Sequence, residues 1–160
     1  MLLPLGTGGK VSLYTLQATH LVVDVAGYFT DGSAASDTSG LLVAKSPYRV
    51  LSTPDKVPFG RLNGGDRAIA DYSTAGLAGG AIAIVTNLTV DGTAGAGFVT
   101  AWPNDQVQPT ASNVNWSGPR QTRAALAISS LASANKISYY QNVALDLLVD
   151  VSGYFTGPTT

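Results

Sequence analysis

Cysteine is absent from the chain, and so is glutamate: all ten acidic residues are aspartate. The first absence excludes disulfides, thiolate metal centres and a cysteine nucleophile. The second removes a strong helix former, while Thr, Val, Gly, Asn and Ser are plentiful, a balance that favours strands and turns. Charge is scarce altogether, 12% of 160 residues with a net −1, and the nine basic residues are scattered singly. Without a basic stripe to neutralise phosphates, nucleic acid is not expected as a partner. Apolar runs are short: LLVDV and AIAIV fall far below the roughly 18–20 residues of a spanning helix, so no membrane span is expected. Met1-Leu2-Leu3-Pro4 lacks the basic start and long apolar stretch of a signal peptide, so a secretion signal would lie upstream. Low charge with many small polar residues fits an extracellular or cell-surface setting.

What the chain does contain is a partial copy of itself. Shifting it by 126 positions aligns Met1–Thr30 with Ala127–Thr156 without a gap, and 13 of 30 positions are identical. HLVVDVAGYFT at 20–30 answers DLLVDVSGYFT at 146–156. The first copy is only the end of a unit. Residues 1–30 therefore read as the C-terminal strands of a partial repeat, and 31–40 (DGSAASDTSG) as a small, polar linker. A complete module follows at 41–156, with a Pro/Thr tail at 157–160.

Within the module, short apolar–polar alternations are separated by turn signals. Ala81–Val90 places Ile82, Ile84, Leu88 and Val90 on one side, interrupted by Thr86. Phe98–Trp102, Ala111–Trp116, Lys136–Val143 and Leu145–Val151 follow, with Tyr48–Ser52 and Arg67–Ser73 weaker. Gln121–Ser133 has helical propensity, yet Ser130 aligns with Pro4, which a helix interior would reject, so it reads as a strand. About eight short strands with hairpin-length connections and sequence-adjacent pairing predict an all-β antiparallel β-sandwich, jelly-roll or Ig-like. A β-trefoil is the alternative, although no threefold repeat of the required length is visible.

In this order the residues carry a resemblance. Pro47-Tyr48-Arg49-Val50-Leu51, Thr86–Val90, Gly97–Pro103, Pro109–Asn115 and Val149–Phe155 together resemble a tandem β-repeat of secreted and surface proteins of actinobacterial type, ending in VDVxGYF. The chain departs from that pattern at Ser52-Thr53-Pro54, where the repeat's Asp-Thr-Arg keeps its Thr but loses the Asp and the Arg. The resemblance implies an accessory β-module, often tandem and attached to cell-wall or secreted enzymes, and implies no established catalytic role.

Few residues carry chemistry. His20 is the only histidine and is replaced by Asp146 in the complete copy, so a triad through it would be missing from the module. Asp24 and Asp150 stand between valines, where an unpaired buried carboxylate would cost several kcal/mol. They are read as structural carboxylates, held by Arg49 or by backbone amides, rather than as acids or cation ligands, and Asp150→Ala should lower the melting temperature markedly. Asp66, Asp71, Asp91 and Asp105 lie near turns, but their spacing selects no hydrolytic pair, and Asp31, Asp37 and Asp91 lack a calcium-loop pattern. No metal or cofactor is expected. Trp102 and Trp116, with Tyr139 or Tyr140, would form a sugar-stacking platform to which Asn113 and Asn115 add hydrogen bonds, against the plainer reading of core aromatics. The sequons at Asn87 and Asn115 read as strand polar faces.

The expectation is a non-catalytic extracellular structural or adhesion module, a repeat unit of a larger surface or secreted protein. A carbohydrate-binding module and a small Asp-dependent hydrolase are the alternatives. Partners would be a glycan or cell-wall surface, or a second copy reached through residues 1–30, which are expected to pack within or between chains.

Overall fold

The computed structural model describes residues 5–25, 28, 39–77, 80–131 and 133–157. Eight strands carry the fold: β1 (Leu42–Ser52), β2 (Arg67–Asp71), β3 (Ala81–Asp91), β4 (Gly97–Pro103), β5 (Val114–Trp116), β6 (Arg123–Ser130), β7 (Lys136–Gln141) and β8 (Asp146–Thr156). Among the described residues there is no helix, and the doubtful segment is strand β6.

The strands form two antiparallel sheets, ordered β1-β8-β3-β6 and β2-β7-β4-β5. Only β4 and β5 are neighbours in both sequence and sheet, so the expectation of sequence-adjacent pairing is corrected. Successive strands otherwise cross between the layers, which gives the order of an eight-stranded jelly roll and neither an Ig-like sheet nor a trefoil. Long-range pairing dominates because each short strand is amphipathic and satisfies its backbone only beside partners far away in the chain.

One core lies between the layers. Ile84, Leu88 and Val90 from β3 and Leu147, Val149 and Val151 from β8 are fully buried, and they meet Val99, Ile137 and Tyr139 of the second sheet. Thr86, which breaks the apolar pattern of β3, also faces inward; its hydroxyl donates to the Ala127 carbonyl at 3.3 Å. Ile82, by contrast, is exposed at the strand's start.

The GYF ending of β8 has a structural reason. Ile84 and Thr86 of β3 oppose Tyr154 and Val151, so β8 holds one extra residue there, a bulge. The extra residue restores Tyr154 to the core face after Val151. Gly153 follows because a Cβ at that site would stand 2.8 Å from the Val43 carbonyl of β1. β1 is itself irregular between Ala44 and Tyr48, and as an edge strand it accommodates Pro47.

The partial copy is corrected on strand formation. Residues 5–25 contain no strand and are exposed throughout, as is Tyr28. Their counterparts are strands because β8 lies between β1 and β3, and β7 between β2 and β4. The chain has one such set of neighbours, already occupied. Packing of this segment on the module is therefore absent among the described residues; its positions 1–4, 26, 27, 29 and 30, and 31–38 of the linker, lie outside them.

Candidate functional site

On the outer face of the first sheet, carboxylates fasten strands. Asp150 is directly opposite Arg49, whose Nε and Nη2 donate to Oδ1 and Oδ2 at 2.8 and 3.0 Å. The pair is half-open to solvent, so Asp150 is not a buried charge, and the guanidinium's ionised form is favoured by that hydrogen bond. Asp24 is exposed.

Asp146 begins β8 with more partners. Thr53 Oγ1 donates to its Oδ1 at 2.8 Å and Arg61 Nη1 to its Oδ2 at 2.5 Å, while Arg61 Nη2 also donates to the Gly92 carbonyl. Thr53 Oγ1 in turn accepts from Leu147 N at 2.9 Å. One network thus ties β8 to the end of β1 and the turn after β3. Asp91 is directly opposite Asp146 across β3 and β8, a carboxylate pair that sequence spacing could not reveal because 54 residues lie between them. Asp91 accepts from Thr122, and Arg61 supplies the positive charge that offsets the like-charge opposition.

Three turn carboxylates are engaged as well, Asp66 within its own turn and Asp71 and Asp105 across the fold. Asp66 accepts from Asn63 N at 2.7 Å, Asp71 from Ser73 N at 2.9 Å and from Lys136, and Asp105 from Ser133 N at 3.4 Å. The Ser73 and Lys136 contacts lower the Asp71 pKa. Among the described residues no group of three or more metal-binding side chains converges.

The expected stacking platform does not form as drawn. Trp116 is 7% exposed and belongs to the core, with Nε1 donating to the Gly95 carbonyl at 2.5 Å. Trp102 is 4% exposed; it donates to the Gln106 carbonyl at 3.1 Å and carries the Arg67 guanidinium 5.3 Å above its ring. Gly97 pairs with Trp116 and Trp102 lies five positions further along β4, so the two tryptophan positions are about 17 Å apart along the strand. Asn113 uses its Oδ1 to accept from Ala101 N at 2.7 Å, which also explains why β5 is shorter than the expected Ala111–Trp116. Asn115 is exposed and bonded to Ser112 at 2.8 Å.

A different aromatic strip lies on the outer face of the second sheet. Val99, Ile137 and Val114 point to the core, so Phe98, Tyr140 and Asn115 point away from it. The Phe98 and Tyr140 rings are 6.0 Å apart at 45°, both half-buried. Arg67 is opposite Tyr140 on one side and Asn115 opposite Phe98 on the other. The strip crosses four strands, about 14 Å. Arg67 is fixed by Ser138 Oγ at 2.7 Å and Asn104 Oδ1 at 3.0 Å. Sequence reasoning named Tyr140 and Asn115 but missed Phe98 and Arg67; the even spacing of Phe98 with Thr100 on β4 was the available signal for the first, while Arg67 joins the strip only through the β2–β7 register. Two shallow depressions flank the strip. One, ≈ 330 Å³, is lined by Arg61, Asp66 and Arg67; the other, ≈ 390 Å³, by Asn115, Gln121 and Arg123.

The chain matches no protein-family model, no curated protein and no solved structure.

Proposed function

We propose that the chain is a non-catalytic structural β-module, a repeat unit of a larger extracellular surface or secreted protein. The observation that carries this reading is the use of charge: Asp150, Asp146 and Asp71 each bind a cation on another strand or loop, holding strands together. The duplicated closing segment at 1–30 supports the tandem character, and the resemblance to VDVxGYF repeats supports the surface setting. A screen of chromogenic glycosides and esters with the intact chain tests it. No turnover is expected; turnover that disappears in Asp91→Asn or Asp146→Asn would establish a hydrolase through the opposed carboxylates instead.

One observation favours glycan binding as a second reading. The Phe98–Tyr140 strip offers two partly open ring faces, with Asn115 and Arg67 placed as hydrogen-bonding groups at its ends. Pyranose rings stack on aromatic faces through their CH groups while amides and guanidinium groups hold the hydroxyls. Retention on insoluble cell-wall polysaccharide, reduced in Tyr140→Ala and Asn115→Ala, is the expected result. Equal retention of both variants would remove this face from consideration.

A further inference from the structure

The exposed residues 5–25 and Tyr28 carry the apolar pattern of a core face. Val11, Leu13, Leu21, Val23, Val25 and Tyr28 align with Ile137, Tyr139, Leu147, Val149, Val151 and Tyr154. Every one of those counterparts is buried, whereas Val25 and Tyr28 are each 83% exposed and Leu13 is 51% exposed. Over residues 10–30, 12 of 21 positions are identical to 136–156. The structure thus states what would cover this face: the inner surface and the strand edges that receive β7 and β8.

The connection also fits. Thr156 ends β8 against the start of β1; its N donates to the Leu41 carbonyl at 3.0 Å, and Leu41 N donates to its Oγ1 at 3.0 Å. Thr30 is the counterpart of Thr156, and only residues 31–40 separate it from Leu41. A strand in the place of β8 would therefore reach β1 through a ten-residue turn, a far shorter closure than the 114 residues between Leu41 and Thr156.

We propose that residues 10–30 are a second closing pair of strands for the same sandwich, able to replace Lys136–Thr156 between β2 and β4 and between β1 and β3 of their own chain. Several anchors are preserved. Asp24 takes the place of Asp150 opposite Arg49, Lys10 that of Lys136 beside Asp71, and Ser12 that of Ser138 beneath Arg67. In sequence, Gly27 aligns with Gly153, the residue that clears the Val43 carbonyl.

Other anchors are lost, which explains why the C-terminal pair holds the site. His20 replaces Asp146 and so forfeits the carboxylate that Thr53 and Arg61 grip. Leu13 replaces Tyr139 and cannot bond the Tyr72 hydroxyl; Thr19 replaces the fully buried Leu145. The two closers differ in fit, so the N-terminal pair is the minor occupant and rises when the C-terminal pair is weakened.

The absence of native cysteine provides a direct test by disulfide trapping in the full chain. Arg49→Cys combined with Asp150→Cys reports the resident register, since directly opposed strand residues lie within disulfide reach. Arg49→Cys combined with Asp24→Cys reports the exchanged one, and Arg49→Cys combined with Val22→Cys measures chance encounters of an exposed segment. Adding Val149→Asp to weaken β8 is expected to raise the 24–49 link at least tenfold in monomers, leave the 22–49 link behind it, and preserve a cooperative melt that Val23→Asp then abolishes. Equal linking at 22 and 24, linking only in dimers, or an unfolded Val149→Asp chain without a 24–49 link would each overturn the proposal.

Discussion

Arg49 on β1 and Asp150 on β8 face each other across the sheet edge, and the guanidinium holds both carboxylate oxygens at 2.8 and 3.0 Å. The pair sits on the outer face, with 43% and 25% of the two side chains exposed. A carboxylate flanked by valines is therefore not a buried charge: alternation turns the valines inward and the aspartate outward. The marked loss of stability expected from the sequence for Asp150→Ala does not follow from this geometry. Exposed pairs contribute about 0.2–1 kcal/mol, and this bidentate one belongs at the upper end. Asp150→Ala should cost about 1 kcal/mol in urea denaturation, and the cost should shrink in 1 M salt; a loss of about 3 kcal/mol would mean the pair is far better shielded than its exposure indicates.

Gly153 is a sharper liability. Its backbone angle is ordinary, so the constraint is space: a Cβ would meet the Val43 carbonyl at 2.8 Å, in the bulge that sets Tyr154 into the core. Backbone cannot yield as a side-chain tip can. Gly153→Ala is expected to destabilise the fold by about 1–3 kcal/mol, the range for overpacking. Gly97→Ala should behave similarly, because its Cβ would lie 2.8 Å from the Trp116 ring. A neutral Gly153→Ala in chemical denaturation would show that β1 moves away at little cost.

The tryptophans give an optical check. Trp102 and Trp116 are both buried and both donate their indole N–H to a carbonyl. Iodide should hardly quench the native emission, and unfolding should shift it strongly to the red. Native quenching approaching that of the unfolded chain would place at least one indole at the surface and revive the stacking platform at Trp102 and Trp116.

Much of this architecture was legible where a single strand decides the outcome. Leu145, Leu147, Val149 and Val151 alternate with polar or half-buried residues, and all four are fully buried. Alternation identifies a strand's two faces but not its neighbours. The pairing order is therefore not legible from alternation, and residues 11–25 carry the same pattern as β7 and β8 without forming strands, because the partners of that pattern are already taken. The tryptophans failed for a related reason. Trp102 does lie on the outer face, yet Arg67 from β2 and the Gln106 carbonyl of the following loop cover it, and neither contact follows from local sequence. Arg49 as the partner of Asp150 was named from sequence, though not its exposure. The opposition of Asp91 and Asp146 depends on β3–β8 register, which nothing local encodes.

The buried tyrosine pair dictates an alkaline limit to the fold. Tyr72 and Tyr139 hydroxyls bond each other inside the core, and burial pushes both phenols well above their usual pKa of 10.0. The unfolded chain releases these protons near pH 10, while the folded chain keeps them. Above that pH the unfolded state binds fewer protons, so stability is fully present below pH 10 and declines as pH rises toward the folded values. Each tyrosine contributes a slope of about 1.4 kcal/mol per pH unit, and two together would consume most of a typical domain's 5–15 kcal/mol within a few units. Tyr72→Phe should lower stability at pH 7 by about 1–2 kcal/mol, since it leaves the Tyr139 hydroxyl without its partner. The same substitution should clearly reduce the slope above pH 10, because it removes the Tyr72 proton from the linkage and leaves those of Tyr139 and the partly buried Tyr48, which burial also raises. Urea denaturation at pH 8, 10, 11 and 12 separates these effects; a wild-type stability that stays level to pH 12 would mean that both phenols ionise within the native core.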